Sequence, residues 1–392
     1  MAPFWKLSVA GFAATAITYG PARMGFGLFL SEFRADFALS TGMAGLISSL
    51  GFLGMLLGLI AAYATLAHIG PRAPVLLGLG LAAAGTGLVA WSPSLPVLIL
   101  GVVLAMTSAG FAWSPFNNIV GRRLPDDTRP SALAVISTGT SLGIAAAGAT
   151  ALATNLTGLP WQAAWAAFAI AGALAGLGNV AALRAPADPL GASTPRQPWG
   201  TLLHRKAMPL YAIAFSFGTT TAIYFSFAAD RVAQSGGLPL LPSGTSSAVL
   251  FLCFGTVGLI GLATGRIKGA IGLSALLRGL LLASALSAGL IALAPASWPG
   301  VILSAGLQGA YVMMMSGVLA LWSERLFPQM PARSFTAALI AVAGGSVLGP
   351  ATAGAMADSA GASAMFLVTA LLSLTTIPAI HPHFVQERPS PA

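Results

Sequence analysis

ITYGPARMGFGLFL, residues 17–30, sets one arginine, Arg23, inside a segment that otherwise reads as membrane-spanning. The apolar run begins just after Lys6, so at 1.5 Å of rise per residue Arg23 lies roughly 24 Å along a helix, past the bilayer midplane. Pro21 follows Gly20 and has no N–H to donate, which predicts a kink or local opening that leaves the Ile17 carbonyl without its helical partner. A broken helix beside a cation is one way to build a ligand site at mid-membrane. The alternative is that Arg23 snorkels to the outer headgroups, or pairs with Glu32 or Asp36 just beyond the segment. Intramembrane ionisable residues are mostly functional, which favours the site.

The surroundings match. Of 392 residues, 56% are hydrophobic and only 7% charged, and the mean hydropathy is +0.86, which excludes an ordinary soluble domain. A net charge of +9 would suggest nucleic acid in a soluble protein; here it reads instead as the cytoplasmic Lys and Arg excess of a membrane protein. The single cysteine, Cys253, excludes an internal disulfide and reads as a small packing residue. The first apolar run is expected to be an uncleaved span, because many more follow it.

Apolar segments of spanning length fall at about 7–30, 42–67, 74–91, 96–120, 132–154 and 162–183, then at 208–229, 245–265, 271–293, 300–322, 334–356 and 362–380. The pattern therefore predicts an all-α membrane protein with twelve transmembrane helices. With a cytoplasmic N-terminus, fifteen of the eighteen Lys and Arg fall on the cytoplasmic side, Arg34 and Arg231 lie opposite, and Arg23 is left inside the membrane. Both termini are thus expected in the cytoplasm of a multi-pass inner-membrane protein. Trp5, Trp91, Trp161, Trp298 and Trp322 fall at expected span ends, where an amphipathic ring sits at headgroup level.

The Pro-rich polar stretch at 184–206 divides the chain into a first bundle at 1–183 and a second at 207–380, with a tail at 381–392. The halves echo each other: GRRLPDDTRPSALAVISTGTSLG runs from Gly121 to Gly143, and SERLFPQMPARSFTAALIAVAGGSVLG from Ser323 to Gly349. Each places Arg-Leu, Pro and Arg ahead of a small-residue helix ending in Leu-Gly, as a six-plus-six duplication would.

Twelve spans, a central linker and repeated halves resemble the major facilitator superfamily of secondary transporters. The resemblance covers essentially the whole chain and implies two six-helix bundles that work by alternating access. WSPFNNIVGRR leading into ISTGTSLG, within residues 110–143, resembles the bacterial carriers related to monocarboxylate and oxalate/formate transporters. The loop between spans two and three, ATLAHIGPRAPVLLG, keeps Gly70 and Arg72 of the superfamily pattern, but Ala67 stands where an Asp is expected. The cytoplasmic latch the family builds there would need another pair, such as Glu324 with a basic loop residue.

The resemblance implies a cavity lined by spans one, four, seven and ten. On span one, Phe12, Ala16, Tyr19, Arg23 and Phe26 share a face. Span four offers Met106, Gly110, Trp113 and Asn117; span seven Phe217, Thr220, Thr221 and Tyr224; span ten Ser304, Gln308, Tyr311 and Met315. The methionines and most hydroxyls have a packing role as the alternative. Asn117 and Gln308 point to the cavity, since an amide facing lipid lacks partners.

All nine acids fall in expected loops or at span ends, and so do the four histidines, so no metal cluster, cofactor or catalytic constellation is expected at membrane depth. Asp230, at the outer end of span seven, is the nearest candidate for a carboxylate at membrane depth, and the alternative is a solvated pair with its neighbour Arg231. With no acid at its depth, Arg23 would give the cavity a positive potential, and a guanidinium holds a carboxylate through two hydrogen bonds. The expectation is a non-enzymatic, monomeric transporter of a small organic anion, with Arg23 as anchor, Tyr19, Asn117, Gln308 and Tyr311 as donors, Trp113 as an apolar wall, and Thr220 and Tyr224 completing the lining. Proton coupling stays open, and the alternative is an exporter of neutral or lipophilic compounds.

Overall fold

The computed structural model describes residues 3–184, 202, 204–242, 244–381 and 385. Most of the expected linker at 184–206 and tail at 381–392 therefore lies outside the described residues. Among the described residues the chain is helical, without strands.

The first expected span, 7–30, falls on α1 (Pro3–Tyr19) and α2 (Pro21–Leu28), and α3 (Leu30–Phe37) follows it. The first break falls at Gly20, whose ψ of −109° lies between two helices. Pro21 causes it, by opening α2 without an N–H to continue α1. Among the described residues, eleven further helical segments are long and apolar enough to cross a membrane, which with the broken first one makes the expected twelve. They are formed by α4 (Thr41–Ile69), α5 (Arg72–Trp91), α6 (Leu95–Ser108) with α7 (Trp113–Arg123), α8 (Arg129–Leu156), α9 (Trp161–Ala182), α10 (Met208–Gln234), α11 (Thr245–Gly258) with α12 (Thr264–Ile271), α13 (Leu273–Leu293), α14 (Trp298–Leu326), α15 (Pro331–Ala360) and α16 (Ala362–Thr376). α4 ends at Gly70, whose φ of +74° explains why the loop keeps glycine there.

Spans four and eight were expected as single helices but tighten into 3-10 turns at Ala109–Phe111 and Leu259–Ala263. Each turn carries a glycine at a close approach. A Cβ on Gly110 would stand 2.5 Å from the Met55 carbonyl oxygen, and one on Gly261 2.7 Å from the Met313 Cβ.

Backbone contacts group the chain into unit one (Met1–Leu39, Leu50–Ser193 and Leu240–Gly255) and unit two (Ser40–Ser49, Thr194–Pro239 and Thr256–Ala392). In unit one, α1 packs on α8, and α5 on α9 and α6. The α1–α8 contact is made by small residues: Gly20 and Gly143 bring the two backbones together at Ala16, and the Thr15 hydroxyl donates to the Ile136 carbonyl at 2.7 Å. In unit two, α10 packs on α15, and α13 on α16 and α14. The α10–α15 contact is of the same kind, with Gly218 against Val342, Gly345 against Phe215, and Ser346 donating to the Gly218 carbonyl at 3.2 Å. Spans one and five, and spans three and six, thus pair in unit one as seven and eleven, and nine and twelve, do in unit two. The echo in the sequence has a structural counterpart.

The tryptophan expectation holds in part. Trp5, Trp91 and Trp298 are exposed at helix ends, but Trp161 and Trp322 are buried. Trp161 packs edge-on against Phe33 with centroids 5.0 Å apart and donates to Asp36 Oδ2 at 2.7 Å. Its ring is core to a cluster with Phe29, Trp165 and Phe168 rather than a headgroup anchor.

Candidate functional site

In unit one, the break at Gly20 leaves Tyr19 as the last residue of α1 and Arg23 in the first turn of α2. Their spacing of four keeps them together despite the break: the Arg23 guanidinium carbon lies 5.6 Å from the Tyr19 ring centroid. It also lies 5.6 Å from the Phe52 ring of α4. Both are cation–π contacts, in which the ring's negative face meets the guanidinium charge. Arg23 is half-buried. Phe52 was not foreseen; an aromatic between Gly51 and Gly54 in span two was the signal available.

Met106, Gly110, Trp113 and Asn117 do not share one stripe, because the 3-10 turn intervenes. Met106 packs at Gly51 and Gly110 at Met55 and Leu59, so both face α4. Trp113 packs on the cluster formed by Leu7, Phe116, Ile119 and Ile136. Asn117 is exposed on α7.

In unit two, the other four expected residues lie on α10 and α14. Thr220 and Tyr311 meet, with their hydroxyls 3.4 Å apart, and the Phe217 ring stands edge-on to Tyr311 at 5.3 Å. The Tyr224 hydroxyl lies 3.0 Å from that of Ser304, which exchanges hydrogen bonds with Ser287. Gln308 stands between Ser304 and Tyr311 on the same face of α14 and is 1% exposed. Its Nε2 has no hydrogen-bond partner among the described residues. Met314 and Met315 are buried, which fits their packing role.

Several acids among the described residues have partners of their own. Glu32 accepts from Ser31 at 2.7 Å, Asp126 pairs with Arg129, and Asp358 accepts two N–H groups of α4. Asp230 is 4% exposed, which sets aside the solvated-pair alternative, and Gln234 donates to it at 2.7 Å. Its neighbour Arg231 turns away to Ser363 Oγ at 2.7 Å and the Ala292 carbonyl at 3.4 Å. Adjacent helical residues point about 100° apart, which separates the two side chains.

A sequence model of the Major Facilitator Superfamily matches residues 11–343, most of the chain. The chain belongs to that superfamily. It is accordingly a multi-pass membrane transporter and not an enzyme. No curated protein matches the sequence. Among solved structures, the nucleoside transporter NupG is similar with a TM-score of 0.74 at 14% identity, over 97% of this chain and 98% of that one. A bacterial homolog of the human lysosomal transporter Spinster is similar at 0.73 and 17% identity, over 100% of both chains. A POT family transporter in complex with 5-aminolevulinic acid is similar at 0.74 and 14% identity, over 98% of this chain and 96% of that one. Identities this low carry the fold of the superfamily and not its substrates.

Unit two of this superfamily member also holds an apolar crevice of about 110 Å³ among α10, α15 and α16, lined by Ile223, Met356, Met365 and Leu372. The hydroxyls of Thr219 and Thr369, also in its wall, turn back onto Phe215 and Met365 carbonyls. The volume falls short of the roughly 300 Å³ at which drug-sized sites begin, so it lends no weight to lipophilic efflux.

Proposed function

We propose that this transporter moves a small organic anion, a carboxylate of the monocarboxylate or oxalate/formate kind, across the inner membrane by alternating access, with both termini in the cytoplasm. The observation that carries the reading is the Arg23 guanidinium beside a helix break, over the rings of Tyr19 and Phe52. A guanidinium's planar fork of N–H donors fits two carboxylate oxygens at once. A cation in a low-dielectric wall also costs least when an anion sits against it. Tyr19 orients Arg23; Trp113 and Asn117 belong to the proposed lining in unit one, and Thr220, Tyr224, Gln308 and Tyr311 to that in unit two. The first bundle, linker, second bundle and tail at 1–183, 184–206, 207–380 and 381–392 are proposed as the working parts. The carrier is proposed to act as a monomer, by anion exchange or by symport with a proton.

The test is uptake of radiolabelled formate, oxalate, lactate and pyruvate into proteoliposomes by wild type, Arg23→Ala and Arg23→Lys. The expected result is uptake of at least one of these anions, abolished in Arg23→Ala and reduced in Arg23→Lys, where the point charge lacks the fork. Equal uptake by wild type and Arg23→Ala would overturn the anchor role.

A further inference from the structure

Within unit two, α10 and α15 lie backbone to backbone over a limited stretch. Gly345 stands against Phe215, and a Cβ on Gly349 would come within 3.0 Å of the Thr219 carbonyl oxygen. One turn further along α15, past Pro350, that contact gives way to the apolar crevice bounded by Ile223, Ala353, Met356, Met365 and Leu372. Pro350 cannot donate to the Ser346 carbonyl, and a proline inside a helix is a usual cause of a kink. Val368, in the crevice wall on α16, is 47% exposed, so the crevice opens onto the surface.

That surface is apolar. Leu348 on α15 and Leu367, Leu371 and Leu374 on α16 are all exposed. In a chain that spans the bilayer such a face meets lipid tails, so the crevice is continuous with the lipid contact. Depth agrees. At 1.5 Å of rise per residue, Met365 and Leu372 lie roughly 5 and 15 Å from the start of α16, within one leaflet's half of a hydrocarbon core about 30 Å thick.

Water is a poor occupant. The Thr219, Thr352 and Thr369 hydroxyls donate to the Phe215, Leu348 and Met365 carbonyls at 2.9, 2.9 and 2.8 Å, so their hydrogens are spent on their own helices. A buried water needs about three polar partners, whereas an apolar cavity takes hydrocarbon. Met356 and Met365 have flexible thioether chains that adapt to a guest without a fixed shape. At about 110 Å³ the space takes a stretch of one chain and not a whole drug-sized molecule. We propose that the crevice is an acyl-chain site, in which one tail of a phospholipid from the leaflet at the α15–α16 turn lodges as a wedge beside α10. The site goes beyond the substrate reading and does not depend on it.

The experiment uses full-length protein in nanodiscs whose phospholipid carries a diazirine midway along one tail. After irradiation, adducts are mapped by peptide mass spectrometry. Leu367 and Leu371 face lipid in any case, so the deciding residues are Ile223 and Met365, which are buried. The expected result is adducts on both. Ala353→Phe fills the crevice and should remove these two adducts while keeping those on Leu367 and Leu371. Val368→Trp, which narrows the mouth from its exposed edge, serves if Ala353→Phe does not fold, with melting temperature as the control. Adducts on exposed residues alone, or unchanged adducts on Ile223 and Met365 in a folded variant, would overturn the acyl-chain site. A last arm replaces the phospholipid probe by a diazirine-bearing alkane. Labelling of Ile223 and Met365 by the alkane and not by the phospholipid would also overturn it, and would make the crevice a site for a small lipophilic solute.

Discussion

The guanidinium carbon of Arg23 lies 5.6 Å from the centroid of the Phe52 ring, the distance it also keeps from Tyr19. One ring comes from its own broken segment and the other from α4, so two elements position the cation. If that placement is what receives a carboxylate, Phe52→Leu should raise the half-saturating concentration more than it lowers the maximal rate. A cation–π contact worth about 0.5 to 2 kcal/mol corresponds to a factor of roughly two to thirty. Phe52→Tyr keeps the ring and should stay near wild type. The check is the concentration dependence of uptake for the carboxylate that wild type carries fastest; equal half-saturation in Phe52→Leu would show that the ring is only packing.

Close approach of backbones is the second constraint. A Cβ on Gly143 would stand 2.7 Å from the Ala16 Cα, and nearer still to the Ala16 carbonyl oxygen. Gly143→Val therefore forces α1 and α8 apart beside the break that positions Arg23. Overpacking of this kind costs about 1 to 3 kcal/mol or more. The expected outcome is a lowered melting temperature in detergent, with Gly121→Ala, whose Cβ meets open space, as the silent control.

Much of this was legible in the sequence, for identifiable reasons. Spans follow from length and hydropathy, the break at Gly20 from the missing N–H of Pro21, and the Tyr19–Arg23 contact from a spacing of four. Contacts between helices distant in sequence were not legible. Phe52 of span two reaches Arg23 of span one, and Asp358 reaches Thr41 across more than three hundred residues. The adjacency of Asp230 and Arg231 misled for the opposite reason. Neighbours on a helix diverge, so Arg231 staples α10 to α13 and α16 while Asp230 takes its i+4 partner Gln234. Trp322 was placed at a headgroup because its position was read without its neighbours, and it is fully buried.

Glu32 supplies a pH-dependent prediction. It lies in α3, beyond the expected end of the first span, and burial holds its carboxyl above the usual 4.5; the Asp36 charge adds to the rise, while hydrogen bonds from Ser31 and the backbone oppose it. A carboxyl raised in the folded state favours folding while protonated. Its contribution is present below the ordinary value and is lost as the pH rises through the raised one. Glu32→Gln should therefore melt at a temperature that changes less as the pH rises above about 4.5, with wild type falling relative to the variant as pH increases. Parallel melting curves across that range would remove the carboxyl from the account.

Gln308 separates stability from transport. Its amide is 1% exposed and its Nε2 lacks a partner among the described residues, while the hydroxyls on either side, Ser304 and Tyr311, are engaged with α10 and α13. A buried unsatisfied donor costs about 1 to 3 kcal/mol, so an apolar side chain of similar size should be neutral or stabilising there. Gln308→Leu is expected to hold or raise the melting temperature and yet to slow uptake, because a donor kept at a cost to folding is one that a substrate oxygen uses. A drop in stability would mean that the amide serves the fold, and unchanged uptake in a stable variant would take Gln308 out of the binding residues.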